Sequence, residues 1–126
     1  MTGMDTVRLG AAGEEKAVEF LLENNYAILN RNYRISRLGE IDIIARDAEY
    51  ICFIEVKARR SKTYGTPGEA VISSKQNRIR KIAAIYLSRN HSFNICVRFD
   101  VIEIIFSGTK GSNYVINSIN HIKNAY

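Results

Sequence analysis

A chain of 126 residues with 46% hydrophobic and 25% charged side chains has ordinary globular composition, with room for one core and not for two. Eighteen basic against thirteen acidic residues give a net charge of +5, which suits a polyanionic partner or simply aids solubility. No Cys/His cluster has zinc spacing, no apolar run reaches transmembrane length, and residues 1–9 carry Asp5 and no apolar centre, so neither a zinc module, a membrane partner nor a secretory leader is expected.

In chain order, Gly13 through Asn24 reads as an amphipathic helix, with Ala17, Phe20 and Leu21 at helical spacing and Glu14, Glu15, Lys16, Glu19 and Glu23 elsewhere. Tyr26 to Tyr33 is a predicted strand. Two apolar segments follow, Glu40–Arg46 and Ile51–Lys57, joined by the loop Asp47-Ala-Glu-Tyr50 as a predicted hairpin. Arg59 to Gly68 is polar, bears glycine and the single proline, and reads as a loop. Ser73 or Ser74 can cap a helix from Lys75 to about Arg89, apolar at Ile79, Ile82, Ala83 and Tyr86 and basic at Lys75, Arg78, Arg80 and Lys81. Phe93 to Phe106 gives one or two strands, and Tyr114 to Ile122 fits a strand or a helix. Cys52 and Cys96 fall in apolar strand-like stretches, the pattern of buried thiols in a reducing cytoplasm. The implied architecture is α/β: a helix, a three-strand meander, then a crossover helix into a further strand of a mixed sheet. Its expected core is Phe20, Leu21, Ile41, Ile43, Ile54, Val56, Ile79, Ile82, Val97 and Phe99.

The hairpin carries ionic side chains on segments that otherwise read as buried. By the two-residue strand period, Glu40 and Asp42 share one face of its first strand, and Phe53, Glu55 and Lys57 one face of the second, while Ile41, Ile43, Cys52, Ile54 and Val56 form an apolar opposite face. A four-residue loop pairs Arg46 with Ile51 and sets Asp42 opposite Glu55, with Cβ atoms about 5 Å apart. Like charges so placed repel, and a Mg²⁺ between them reverses the sign, because this hard cation takes one or two carboxylates and keeps several waters. Lys57, one strand period beyond Glu55, then stands beside the metal. The E-x-K triplet is weak by itself, since Glu14-x-Lys16 is a second instance. The other reading of the same residues is a solvated polar sheet face.

The stretches Gly39-Glu-Ile-Asp-Ile-Ile-Ala45 and Phe53-Ile-Glu-Val-Lys-Ala-Arg59 resemble the signature of the YraN family. Gly13-Glu14, Asn30-Arg-Asn-Tyr33, Lys75-Gln76 and Arg98-Phe-Asp-Val101 also resemble family positions, so the likeness runs from about Gly10 to Val101. That family is placed in the restriction-endonuclease-like PD-(D/E)XK superfamily and likened to archaeal Holliday-junction resolvases. The resemblance implies a single nuclease-like domain over 1–126, a restriction-endonuclease-like α/β sandwich with a central mixed sheet flanked by helices. It implies Asp42 and Glu55 as ligands of Mg²⁺ or Mn²⁺, Lys57 as the catalytic lysine, Glu14 as a further acid near the metal, and Lys75 or Gln76 reaching the site from the later helix. Glu40 would support it. Two departures stand out: no proline precedes Asp42, although Gly-Glu stands there throughout the family, and Ala48 occupies a hairpin position where relatives often have glycine.

Arg59, Arg60, Lys62, Lys75, Arg78 and Lys81 flank the acidic residues and would neutralise nucleic-acid phosphates, or else form a solvated charged face. Tyr64 would pack or stack on a base. Arg98 and Asp100 share a strand face and are expected as an ion pair that supports the sheet, while His91 and His121 have no partner at a telling spacing and are assigned to the surface. The expected function is a metal-dependent endonuclease acting on DNA, with a homodimer implied by the resolvase likeness. The alternatives are a non-catalytic nucleic-acid-binding module on the same fold, or a structural adaptor in a DNA-processing complex.

Overall fold

The computed structural model describes residues 6–60, 73–90, 94–111 and 113–126; Lys62, Tyr64 and His91 lie outside them. The elements are α1 (Thr6–Glu23), β1 (Ala27–Ile35), β2 (Gly39–Asp47), β3 (Tyr50–Arg59), α2 (Ser73–Arg89), β4 (Cys96–Lys110) and β5 (Asn113–Ile122). The strands form one sheet in the order β1-β2-β3-β4-β5. All pairs are antiparallel except β3 and β4, which run parallel and are joined by the crossover that contains α2. The fold is therefore an α/β sandwich with a five-stranded mixed sheet. The segment left open between strand and helix is β5, and the stretch before it is one continuous strand.

The helices cover opposite faces of the sheet. Leu9, Ala17 and Leu21 of α1 pack with Tyr26, Ile43, Ala45, Cys52, Ile54, Ile102, Ile104 and Phe106. Ile79, Ile82, Ala83 and Tyr86 of α2 pack with Ile41, Ile44, Ile51, Phe53 and Val101. The expected core is thus two cores, and the polar face predicted for the hairpin is in part a second apolar one. Phe53 is wholly buried there, as befits a strand with parallel and antiparallel neighbours and a helix on each side. Ile41 and Ile43, expected on one face, join different cores, so the strict alternation breaks at the residue between them, Asp42.

α1 begins at Thr6, well before the predicted Gly13. That glycine does not open the helix; it lets the helix approach the sheet, since a Cβ there would sit 2.7 Å from the Ala58 Cβ. The hairpin turn is also shorter than predicted. Asp47 pairs with Tyr50, leaving only Ala48 and Glu49 in the turn, yet Arg46 still faces Ile51, so the expected register holds. Ala48 takes φ 54°. This left-handed conformation disfavours a Cβ, so glycine would be less strained at that position.

Two expectations about polar residues are overturned. Cys96 is exposed at the start of β4, whereas Cys52 is buried as expected. His121 is not a surface residue: its Nε2 lies 2.8 Å from Asp100 Oδ2, and its ring packs edge-on to Phe20. The predicted Arg98–Asp100 pair is present and anchors a larger network. Arg98 donates through Nε at 3.0 Å and Nη2 at 3.0 Å to Asp100, and also to the Tyr26 hydroxyl at 2.7 Å and Asp47 at 3.2 Å. Burial alone would raise the Asp100 pKa, but hydrogen bonds from His121, Arg98 and the Asn124 N–H hold it below the usual carboxylate value. The network ties the segment before β1 to β2, β4, β5 and the segment after it, because a buried carboxylate is tolerated only when its charge and lone pairs are met.

Candidate functional site

Asp42 and Glu55 come together where β2 and β3 separate. The paired residues run from Asp47 and Tyr50 to Ile43 and Ile54, and the next positions along are Asp42 and Glu55. The Asp42 carboxylate accepts the Val56 N–H through Oδ2 at 2.8 Å, so a side chain satisfies a donor on the neighbouring strand. The alternation breaks at this same residue, opposite the stretch of β1 where Asn32 takes φ 51°. Glu55 is nearly buried, and its Oε2 receives the Lys75 ammonium from the first turn of α2. Burial first, and the Glu55 charge second, push the Asp42 carboxyl up to about 7, against the opposing hydrogen bond from Val56.

A cleft of 360 Å³ opens over these acids. Glu40, Asp42 and Glu55 supply its acidic lining, Lys75 and Arg78 of α2 stand on one side, Arg34 and Arg37 from the β1–β2 hairpin on the other, and Leu38, Ile79 and Ile82 are apolar. Arg34 is paired with Glu40 at 3.6 Å, directly across the two strands.

Glu14 approaches from α1. Its charge is felt at Asp42, and its own pKa is raised by burial, despite a hydrogen bond with Asn32, with Glu40 and Glu55 adding repulsion. The adjacent Glu15 meets Arg31 at 2.8 Å, so consecutive acids of α1 engage consecutive residues of β1. Three predicted acids therefore share one electrostatic neighbourhood. Among the described residues, however, no three His, Cys, Asp or Glu side chains are grouped tightly enough to form a complete metal centre. The donor set nevertheless suits a hard divalent cation. It offers oxygen ligands from two adjacent carboxylates, the number such an ion commonly takes from protein, and an excess of negative charge that the ion would relieve.

The other predicted residues are more dispersed. Lys57, expected beside the metal, is half-buried on β3 two residues beyond Glu55 and in register with Glu103 of β4; it is not among the described residues that line the cleft, so a role there would have it reach in from the cleft's edge. Gln76 is half-buried beside Lys75 in the first turn of α2, and Lys81 is exposed further along that helix. Arg59 meets the buried Glu103 at 3.4 Å, and Arg60 is exposed just beyond β3. Arg80, from the basic helix face, lies over the rings of Phe99 at 5.4 Å and Tyr126 at 5.2 Å. Sequence reasoning missed Arg34 and Arg37, which bring the second cationic wall, and Glu103, the buried partner of Arg59. Only Glu103 left a usable signal, an acid within the apolar run Val101–Phe106.

A family model described as Uncharacterised protein family UPF0102 matches residues 13–104, a span that contains Glu14, Asp42, Glu55, Lys57 and Lys75. The chain belongs to this family. A UPF0102 protein of Acetivibrio thermocellus is 53% identical over 117 residues, covering 93% of this chain and 89% of that relative. A UPF0102 protein of Caldicellulosiruptor saccharolyticus is 45% identical over 123 residues, covering 98% of this chain and all of the relative. One from Symbiobacterium thermophilum is 50% identical over 97 residues, or 77% of this chain and 81% of that one. The UPF0102 match spans the segments that carry the YraN-like resemblance. No described helix of this UPF0102 chain is long and apolar enough to cross a membrane.

Proposed function

We propose that this UPF0102 protein is a metal-dependent endonuclease of the restriction-endonuclease-like type, hydrolysing phosphodiester bonds in DNA. The resolvase likeness suggests branched or junction DNA as substrate. The observation that carries this reading is the pairing of Asp42 with Glu55 in a cleft whose described walls bear Arg34, Arg37, Lys75 and Arg78. Acids alone would repel a phosphodiester, and cations alone would bind one without cutting it. Together they offer both an anion-binding cleft and a place for a catalytic ion.

Asp42 and Glu55 would hold Mg²⁺ or Mn²⁺, with Glu14 adding negative charge nearby. When bound, such an ion lowers the pKa of a coordinated water and offsets charge on a phosphoryl oxygen. The chain's own residues do the rest. Val56 N–H fixes the Asp42 carboxylate, the arginines hold phosphates on either side, and Lys57 orients or helps deprotonate the attacking water. Gln76 and Glu40 support the acids. The Lys75 contact, which already balances Glu55, and the lack of a complete three-acid group among the described residues favour a second reading, a nucleic-acid-binding module that keeps the fold without cleavage.

A cleavage assay on supercoiled plasmid and a four-way junction, with Mg²⁺ or Mn²⁺, separates the two. The expected result is cutting by the wild type and a loss of about 100-fold or more in Asp42→Asn, Glu55→Gln and Lys57→Ala, in keeping with the cost of deleting a group that stabilises the transition state. An inactive wild type that still binds DNA, or equal cutting by all four proteins, would sink the nuclease in favour of the binding module.

A further inference from the structure

We infer that Lys75 is an exchangeable counter-ion: it holds Glu55 while the acidic pair lacks a metal, and passes to a nucleic-acid phosphate when a divalent cation takes the carboxylates. This rests on the metal-dependent reading above, and adds to it a positioning residue with two partners in sequence.

The two sides of the ion pair differ in mobility. Glu55 is carried by β3, the central strand, and its side chain is 10% exposed, whereas Lys75 is 33% exposed and reaches the acid along a four-carbon stem. The ammonium can leave without any movement of α2. Its place in the helix favours the acids now and a phosphate later, because the first turn of α2 has no acidic residue to answer the positive end of the helix. Arg78 follows three residues on and lines the same cleft, with Arg34 and Arg37 opposite. A departing ammonium therefore enters a space already framed by cations, where a phosphate would sit.

The electrostatics give the exchange its direction. Arg31 acts on Glu14, while the single charge of Lys75 lies on Glu55 and is also felt at Asp42, where it opposes the charges of Glu55 and Glu14. A doubly charged ion at the two carboxylates compensates more of that charge and also repels the ammonium, so the two cations compete for Glu55. Neutralising Lys75 should then strengthen metal binding while weakening the grip on phosphate. A lysine that only braces α2 against β3 would keep its carboxylate when the metal arrives, so its ammonium would become no more reactive on adding Mn²⁺.

The test uses the full chain without nucleic acid. Mn²⁺ is titrated into wild type, Lys75→Gln and Lys75→Met, with free Mn²⁺ followed by electron paramagnetic resonance and folding checked by circular dichroism. Both variants should bind Mn²⁺ about three- to tenfold more tightly, the range expected for removing a partly exposed competing charge. In the wild type, acetylation of Lys75 read by mass spectrometry should rise on adding Mn²⁺ and fall again when a short DNA strand follows. Equal Mn²⁺ affinity in all three proteins, or labelling that Mn²⁺ does not move, overturns the exchange and leaves the metal site standing. Absence of Mn²⁺ binding in all three overturns the metal-dependent reading and the exchange with it.

Discussion

Asp42 serves two masters, a backbone N–H of β3 and whatever occupies the cleft, and its protonation shows the tension between them. An acid whose folded-state pKa lies above its unfolded value holds its proton more tightly in the folded chain. Its contribution therefore favours folding at low pH and is lost as pH rises from about 4, the unfolded value, through the folded value of about 7. In the Asp42→Asn variant the amide oxygen would still accept the Val56 N–H, without carrying the charge. In chelator, this variant should be more stable than wild type above about pH 7.5 by about 1–2 kcal/mol, once solvent screening in the open cleft discounts the full shift. The gain should shrink as pH falls below about 7 and close towards about pH 4. Urea melts across that range check it, and a pH-independent difference would mean that the Glu55 charge and burial do not strain Asp42. At this scale the acidic pair was legible, because strand period and register act over a few residues. His121 was not, because its partner Asp100 lies 21 residues away and no local spacing announces it. Arg34 and Arg37 were missed for a related reason: they reach the cleft through the bend of a hairpin, which periodicity does not describe.

α1 lies close on β3, and there Gly13 decides the spacing. Replacing a mid-helix glycine by alanine ordinarily stabilises a helix by about 0.5–1 kcal/mol. Here the new Cβ would lie 2.7 Å from the Ala58 Cβ, a contact that forces the helix away from the sheet. Overpacking of this kind costs about 1–3 kcal/mol, so the clash outweighs the propensity and Gly13→Ala should be destabilising. The Gly13→Ala, Ala58→Gly double variant should recover part of the loss, a coupling that thermal melts of the four proteins would reveal. Strict additivity would show that the close approach is incidental. Glycine also explains where the reading of elements fell short. As local punctuation, Gly13 resembled a helix start, whereas its role is tertiary. The turn was misjudged for the converse reason, since Ala48-Glu49 lacks the Asn-Gly or Gly-first chemistry that marks a two-residue turn. Both the predicted and observed turns pair Arg46 with Ile51, which is why the site survived the error. The crossover and the meander were legible because α2 and the hairpin have strong, different apolar periods.

For the molecule as a whole, a net charge of +5 says only that a polyanion would be welcome, and the proposed function puts it in the cleft. If Arg34, Arg37, Lys75 and Arg78 each neutralise one phosphate, the logarithm of DNA affinity should fall against the logarithm of salt with a slope of about −3 to −4. Arg34→Ala should reduce its magnitude by about one contact: between about 50 and 200 mM salt, fluorescence anisotropy should read a loss of roughly 60- to 250-fold in wild-type affinity, and a loss about three- to fourfold smaller in the variant. A slope indifferent to Arg34 would place the binding surface elsewhere. The two-sided core was only half legible, since nothing local says that the hairpin's second face will be covered. The hairpin has one more consequence, and it concerns time. β2 and β3 close through a two-residue turn and need only neighbouring chain, whereas the parallel pairing of β3 with β4 waits for the whole stretch from Arg59 to Cys96, α2 included. On a ribosome, Asp42 and Glu55 would thus be brought face to face before the ammonium that balances them has left the exit tunnel, so the nascent hairpin would pass through its most negatively charged state early and be relieved only as the rest of the fold arrives.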